Sequence, residues 1–527
     1  MKQFISIPAI LVVIILSGCQ PGKGTVEKQA PNILFAIADD ASWKHFGAYG
    51  CEWVKTPAFD RVAQNGILFT RAYTPNAKCA PSRSCILTGR NTWQLEEACN
   101  HSPNFPSKFK TYTEVLSENG YFVGNVGKGW APGNPGQING KKRELTGIKF
   151  DELKAPPITT GISTNDYAAN FEAFLAARPS DKPFCFWYGC FEPHRKYEFK
   201  SGINKGNKNI DEIDEIPSFW PDGDTVRADM LDYAFEIEHF DAHLNRMLQK
   251  LEEIGELDNT IVIVTADNGM PFPRIKGQEY EYSSHLPLAI SWPDGIKNPG
   301  RVVDDFVNFI DFVPTYLELT GLTAEQVGMQ PITGNSLTDI FYSENGGSIN
   351  PERDFVLIGK ERHDVGRPND QGYPIRGIIR DNYLYIRNFK PERWPAGNPD
   401  TGYLNCDGSP TKTYILDTRR MKGQLEYWQL NFGKRLSEEL YNIEEDPFCM
   451  KNLASEEAFS ELKVSMNEEM IEKLRKQGDP RILGNGDVFD NYEYFGEVRN
   501  YYNRYMQGEE VPTNWVNKSD YDADLME

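Results

Sequence analysis

Residues 31–40 read P-N-I-L-F-A-I-A-D-D. The unbroken apolar run from Ile33 to Ala38 is too short for a core helix and has the continuity of a strand buried on both faces. It stops abruptly at Asp39-Asp40. Two adjacent carboxylates at the carboxyl end of a buried strand sit where open α/β sheets place their ligands. Further along, 238–254 has helical amphipathic spacing, and Asn259-Thr260 then opens I-V-I-V-T at 261–265, which ends in Ala266-Asp267-Asn268-Gly269. Between these, Lys182-Pro183 leads a third apolar run, 184–188, closed by Gly189. Strands alternating with helices predict an α/β fold, a large mixed but mostly parallel sheet sandwiched by helices. After about residue 350 the texture changes to short alternating runs such as G-I-I-R-D-N-Y-L-Y-I-R at 377–387, which predict a smaller α+β domain with an antiparallel sheet and a helix near 456–476. The expected division is 31–350, 351–477, and an irregular tail at 478–527 rich in Tyr, Phe and Asn, wrapping over the surface.

The chain has 527 residues, 39% hydrophobic and 25% charged, so disordered, collagen-like and coiled-coil classes are out. Lys and Arg total 56 against 76 Asp and Glu, a net charge of −20. A protein this acidic is a poor candidate for following a nucleic-acid backbone. An anionic ligand would need a local group of cations or a metal to offset the overall field.

Met1-Lys2-Gln3 gives a short positive start, and 4–16 is an apolar run too short to span a bilayer, with the proportions of a signal peptide's core. It ends in Leu16-Ser17-Gly18-Cys19, which resembles the lipobox of bacterial lipoproteins. That resemblance implies cleavage before Cys19, acylation of Cys19, and an exported protein anchored by lipid to the bacterial cell envelope, with 20–30 as a tether. Nine cysteines show no zinc-type spacing. In an exported protein Cys185/Cys190 and Cys51/Cys99 are conceivable disulfides.

Residues 79–90 read C-A-P-S-R-S-C-I-L-T-G-R. They match every specified position of C-x-P-S-R-x-x-x-L-T-G-R, the signature of the type I sulfatases of the alkaline phosphatase superfamily, which the chain resembles. The resemblance continues through Asp39-Asp40, G-Y-F-V-G-N-V-G-K at 120–128, Pro193-His194, T-A-D-N-G at 265–269 and E-L-Y-N-I-E-E-D-P at 439–447. It implies that a maturation enzyme converts Cys79 to formylglycine, an aldehyde held as its hydrate, reading Pro81 and Arg83 as it does so. The chemistry explains the need. A serine would be left as a stable sulfate ester, whereas a geminal diol attacks sulfur with one hydroxyl and expels sulfate when the other is deprotonated.

The resemblance also implies a metal held by Asp39, Asp40, Asp267, Asn268 and the modified Cys79. Oxygen ligands without histidine favour Ca²⁺ or Mg²⁺ over zinc, and the family uses calcium. Taken singly, each acidic pair has a plain alternative reading as a cap or turn. Lys128 and Lys276 match the family's sulfate-binding lysines, with Arg274 second to Lys276. Arg83 matches the arginine beside the nucleophile, and His194 the histidine that protonates the leaving group or binds sulfate. Arg195 is a candidate contact for substrate anions.

One departure stands out. Family members commonly read G-K-W-H, and the run here is Gly127-Lys128-Gly129-Trp130, with a tryptophan where the family has a histidine supporting the hydrate. His285 is a candidate replacement, with a substrate-binding or structural role as its alternative. Arg362 and His363 are the candidates for recognising sugar. His239, Asp241 and His243 read as helix-packing residues, and His45 and His101 stay open. The function implied is hydrolysis of a sulfate ester on a sulfated carbohydrate. Several local strings look like the branch containing heparan N-sulfatase, so sulfamate cleavage is the alternative. Behind it come a phosphate or phosphonate monoester hydrolase of the same superfamily and an inactive glycan-binding lipoprotein.

Overall fold

The computed structural model describes Met1 and residues 30–522. Residues 2–29, with Cys19 and the expected leader and tether, lie outside the described residues. Eight strands form the main sheet: β1 (Asn32–Ala38), β2 (Ile67–Phe69), β3 (Phe122–Gly127), β4 (Ile148–Lys149), β5 (Phe184–Gly189), β6 (Thr260–Ala266), β7 (Leu288–Ser291) and β8 (Arg301–Val303). Their order is β8-β2-β7-β6-β1-β5-β3-β4, and only β7 opposes the common direction. This is the expected architecture.

The continuous apolar runs are explained by burial on both faces. Leu34, Ala36 and Ala38 point into one core with the long helix Asp224–Glu253, while Ile33, Phe35 and Ile37 point into another with the helix Cys79–Thr88. The register then builds the site. Ala38 lies opposite Ala266, and Ile37 and Gly127 both lie opposite Gly189. Residues 39–40, 128, 190–194 and 267–268 therefore leave the sheet along one edge.

The helices used below are α1 (Pro57–Gln64), α2 (Cys79–Thr88), α3 (Asp224–Glu253), α4 (Pro410–Lys422) and α5 (Ser460–Lys476). Helix α2 is buried at all ten positions and ends on Gly89, whose φ of 68° lets its N–H reach the Cys85 carbonyl. A Cβ at Gly89 would come within 2.9 Å of Val313, so the glycine of the T-G-R triplet is a backbone requirement.

The second sheet is an antiparallel meander, β9 (Phe355–Lys360), β10 (Ile375–Arg380), β11 (Tyr383–Asn388) and β12 (Glu438–Asn442), covered by Met466, Met470 and Leu474 of α5. The boundary at 351 is not a packing boundary throughout. Tyr403, Ile415 and Leu416 of the loop and α4 join the core around α3, so the excursion between β11 and β12 returns to the first domain. The tail is also more than a surface wrap. Asp479 pairs with buried Arg376 and Arg481 with Glu361, and the chain beyond them reaches the cavity described next.

The eight described cysteines are all free. Cys185 lies in β5 and Cys190 just past its end, in opposite cores, and the conceivable bridge between them does not form; Cys51 and Cys99 are likewise unpaired. No described helix is long and apolar enough to cross a membrane.

Candidate active site

Cys79 is the first residue of α2 and 1% exposed. Its Sγ lies 3.5 Å from Asp39 Oδ1 and 3.7 Å from Asp40 Oδ1. Burial pushes the Cys79 thiol well above its ordinary pKa, against the pull of Lys128. The thiolate is the reactive form of cysteine, so an unmodified thiol is a poor nucleophile at this place.

Asp39, Asp40 and Asp267 offer carboxylate oxygens within 4.8 Å of one another. Asp40 sits at φ 77°, a left-handed conformation costly for a non-glycine residue; its backbone N–H donates to Asp267 Oδ1 at 3.1 Å. Asn268 donates from Nδ2 to Asp40 Oδ1 at 2.6 Å, while its buried Oδ1 has no protein partner. Burial and the neighbouring Asp39 push the Asp267 carboxyl up. Burial, the largest influence, opposes ionisation of Asp39 too, yet Lys128, His194 and Arg83 together outweigh it and hold that carboxyl below its ordinary value. Crowded carboxylates beside an orphaned amide oxygen are a donor set that fits a hard divalent cation.

Four cations answer the puzzle of the negative net charge. Arg83 donates from Nε to Asp267 Oδ2 at 2.8 Å and from Nη1 to the carbonyls of Lys128 and Gly129. Its Nη2 is buried without a hydrogen-bond partner, 3.6 Å from Asp39. Lys128 Nζ donates to Asp39 Oδ2 at 2.5 Å, and Lys276 Nζ to Asp40 Oδ2 at 2.6 Å and Asp407 Oδ2 at 2.9 Å. Lys78, immediately before the nucleophile position, pairs with Asp364 at 2.7 Å. His194 is partly exposed, with Nε2 3.9 Å from Asp40 Oδ2 and Nδ1 donating to the Arg195 carbonyl at 2.6 Å.

Of these groups, Asp39, Lys78, Cys79, Lys128, His194 and Lys276 line a cavity of about 610 Å³. The structure brings together every residue expected around the metal and the nucleophile. The expected periphery is placed differently. Arg195 reaches the cavity wall, but its nitrogens are spent on Asp229 and the Pro271 carbonyl. His285 is stacked between Trp43 and Tyr73 and bonded to Glu281, away from the cavity lining. Arg362 donates to carbonyls of Tyr492 and Glu493, and His363 bonds Asn76; neither lines the cavity. Arg274 is tied to the carbonyls of Leu430 and Cys449, leaving Lys276 as the cation at Asp40. His45, His239 and His243 are all outside the lining.

Other parts of the wall went unread in the sequence, among them Lys78, Glu236, Asp364 and Asp407, with Tyr494 and Trp515 from the tail, while His101, left open there, also lines it. Two signals were available. Lys78 abuts the motif, and Asp364 is one residue past His363.

Comparison with known proteins agrees with this geometry. The family model described as Sulfatase matches residues 31–322. An ulvan-active sulfatase of Formosa agariphila is 28% identical over 87% of this chain and 82% of its own length. Human N-sulphoglucosamine sulphohydrolase is 24% identical over 89% of this chain and 94% of its own. A protein solved in complex with its substrate D-glucosamine-2-N,6-O-disulfate shares the fold, with a TM-score of 0.59 at 19% identity, covering 86% of this chain and 99% of that one. With the family model spanning more than half of the polypeptide, and the signature cysteine at the head of a buried helix among carboxylates, the chain belongs to the sulfatase family and is a sulfuric ester hydrolase.

Proposed function

We propose that the protein hydrolyses the sulfate ester of a sulfated carbohydrate, using formylglycine made from Cys79. The observation that carries this reading is the placement of residue 79 between Asp39 and Asp40, with Lys128 and Lys276 bonded to those two carboxylates. Asp39, Asp40, Asp267 and Asn268 would hold the ion, calcium ahead of magnesium, which when bound supplies Lewis-acid stabilisation of charge on a sulfate oxygen. Lys128 and Lys276 place positive charge beside the sulfate and hold the two carboxylates in position. Arg83 anchors the start of α2 through Asp267 and two backbone carbonyls, fixing the direction of side chain 79. His194, with Nδ1 committed to a carbonyl, has Nε2 free to carry a proton to the departing alcohol oxygen.

The carbohydrate class is supported by the relatives named for ulvan and for N-sulphoglucosamine. The second of these keeps sulfamate cleavage as the alternative. The sequence start supports an exported lipoprotein anchored through Cys19, matured by a formylglycine-generating enzyme.

Two measurements test this. Mass spectrometry of the peptide carrying residue 79, from protein co-produced with a maturation enzyme, should show the aldehyde or its hydrate, and Cys79→Ala should fold normally and lose all turnover. A thiol throughout, or residual turnover in the variant, removes the nucleophile. Sulfate release from 4-nitrophenyl sulfate should exceed phosphate release from the phosphate analogue, and a panel of O-sulfated and N-sulfated oligosaccharides then separates ester from sulfamate.

A further inference from the structure

Formylglycine chemistry needs a base as well as an acid. Once sulfur is bonded to one oxygen of the residue-79 diol, sulfate leaves only when the other hydroxyl loses its proton. Trp130 cannot take that proton. Its indole nitrogen is a donor only, and it is already bonded to Ser84 Oγ at 2.8 Å.

We infer that His101, oriented by Asp364, is the base that releases sulfate from residue 79. The inference rests on the formylglycine reading above. All seven histidines are among the described residues, and His101 and His194 are the two that line the cavity. His194 has a ring nitrogen within 4.8 Å of both Cys79 Sγ and Asp39 and 3.9 Å from Asp40, and is taken above as the acid for the leaving alcohol. His101 Nδ1 lies 2.8 Å from Asp364 Oδ1, and Lys78 holds the other oxygen of that carboxylate at 2.7 Å. An ionised Asp364 fixes the tautomer, placing the proton on Nδ1 and a lone pair on Nε2. Nε2 has no protein partner among the described residues, and the side chain keeps 11% of its surface open.

Of the other carboxylates of the wall, Glu236 has no hydrogen-bond partner at either oxygen but packs against Gly161, and three are committed to cations. Asp39 faces Lys128 and Arg83, Asp407 faces Lys276, and Asp364 is shared by Lys78 and His101. Burial lowers the proton affinity of His101, Asp364 notwithstanding, consistent with a neutral resting imidazole. The placement is also built into the loops. The segment after His101 is sewn to the segment after Trp130 by hydrogen bonds from Asn134 N to Pro103 O and from Phe105 N to Asn134 O, each 2.8 Å. The Phe105 and Trp130 rings meet edge to face at 5.2 Å. A histidine missing from one strand of this pair of loops is thus supplied by the other.

The bookkeeping closes. One diol oxygen bonds sulfur as the ester S–O bond breaks; its own proton passes to cavity water, the alcohol leaves with a proton from His194, and a proton from that water restores His194. His101 Nε2 takes the proton of the remaining hydroxyl, the C=O bond forms, and the C–O bond to sulfur's oxygen breaks with its electron pair going to sulfate. Water rehydrates the aldehyde, and the proton on His101 passes to solvent. Asp364 is a positioning residue for this step.

The test is His101→Gln, checked for native circular dichroism and for complete conversion of residue 79, with His101→Ala as the second variant. The expected result is a kcat on 4-nitrophenyl sulfate lower by on the order of 10²–10⁴-fold. Acid quenching during turnover should then yield a residue-79 peptide heavier by one sulfuryl group, absent from the wild type, and added imidazole should restore part of the rate to His101→Ala. An unchanged kcat, or a lower kcat with no sulfuryl group retained on residue 79, overturns the role of His101. Failure of the underlying reading looks different: residue 79 would then be unconverted in the wild type itself.

Discussion

Asp364 shows how single residues are tuned here. Burial alone would raise its pKa, but Lys78 and His101 outweigh that and hold it well below the ordinary carboxylate range. A carboxyl whose folded pKa is depressed contributes stability above its unfolded value, near ~3.9, and loses that contribution as pH falls through the folded value. Acid unfolding should therefore be steeper in the wild type than in Lys78→Met, whose Asp364 has lost its strongest partner; parallel acid limbs would show the pair to be energetically idle. At this scale the sequence was legible where chemistry is local. Cys79, Arg83 and the Asp39-Asp40 pair are recognisable from their immediate neighbours. Asp364 and Lys78 are not, because their pairing joins positions 286 apart (364 less 78). His285 misled for the converse reason. It lies nine positions after Lys276, but stacking on Trp43 and Tyr73 turns it into a neighbouring core.

Among the elements, the parallel strands were read correctly because burial on both faces leaves an unbroken apolar signature. The second half of helix α3 was recognisable from its spacing at 238–254, while its start at Asp224 was not, and one of its residues does an element-scale job. Asp241 accepts the backbone N–H groups of Ala58 and Phe59, each at 2.8 Å, and so closes the start of α1 from another helix. Asp241→Ala should cost about 1–2 kcal/mol, the value of a helix cap, seen as a lower urea midpoint with turnover per folded molecule unchanged. Loss of turnover would mean that α1 positions the site more directly than its packing indicates. The excursion carrying α4 was not legible, since nothing in its composition says which of two cores its apolar residues join; Ile415 and Leu416 choose the core around α3.

For the whole molecule, the main question is how so many like charges are held at one sheet edge. Asp39, Asp40 and Asp267 are each at most 1% exposed, and buried like charges are costly unless a cation shares them. A divalent ion that binds only the folded form adds RT ln(1 + [L]/Kd), about 4 kcal/mol at a thousandfold excess over Kd. Chelation should lower the melting temperature, calcium should restore it more fully than magnesium, and Asp267→Asn should flatten the response. A melting temperature indifferent to chelator would leave Lys128, Lys276 and Arg83 as sufficient counterions.

The burial of the first side chain of α2 also has a consequence in time. The finished fold buries all ten residues of that helix, so an enzyme that oxidised Cys79, as proposed above, would have to reach it before the helix packs. Trp515, which lines the same cavity, follows Cys79 by 436 positions. On the proposed formylglycine reading the polypeptide would then carry its own deadline: a copy that collapsed before oxidation at residue 79 would be left as an inert thiol until it unfolded again.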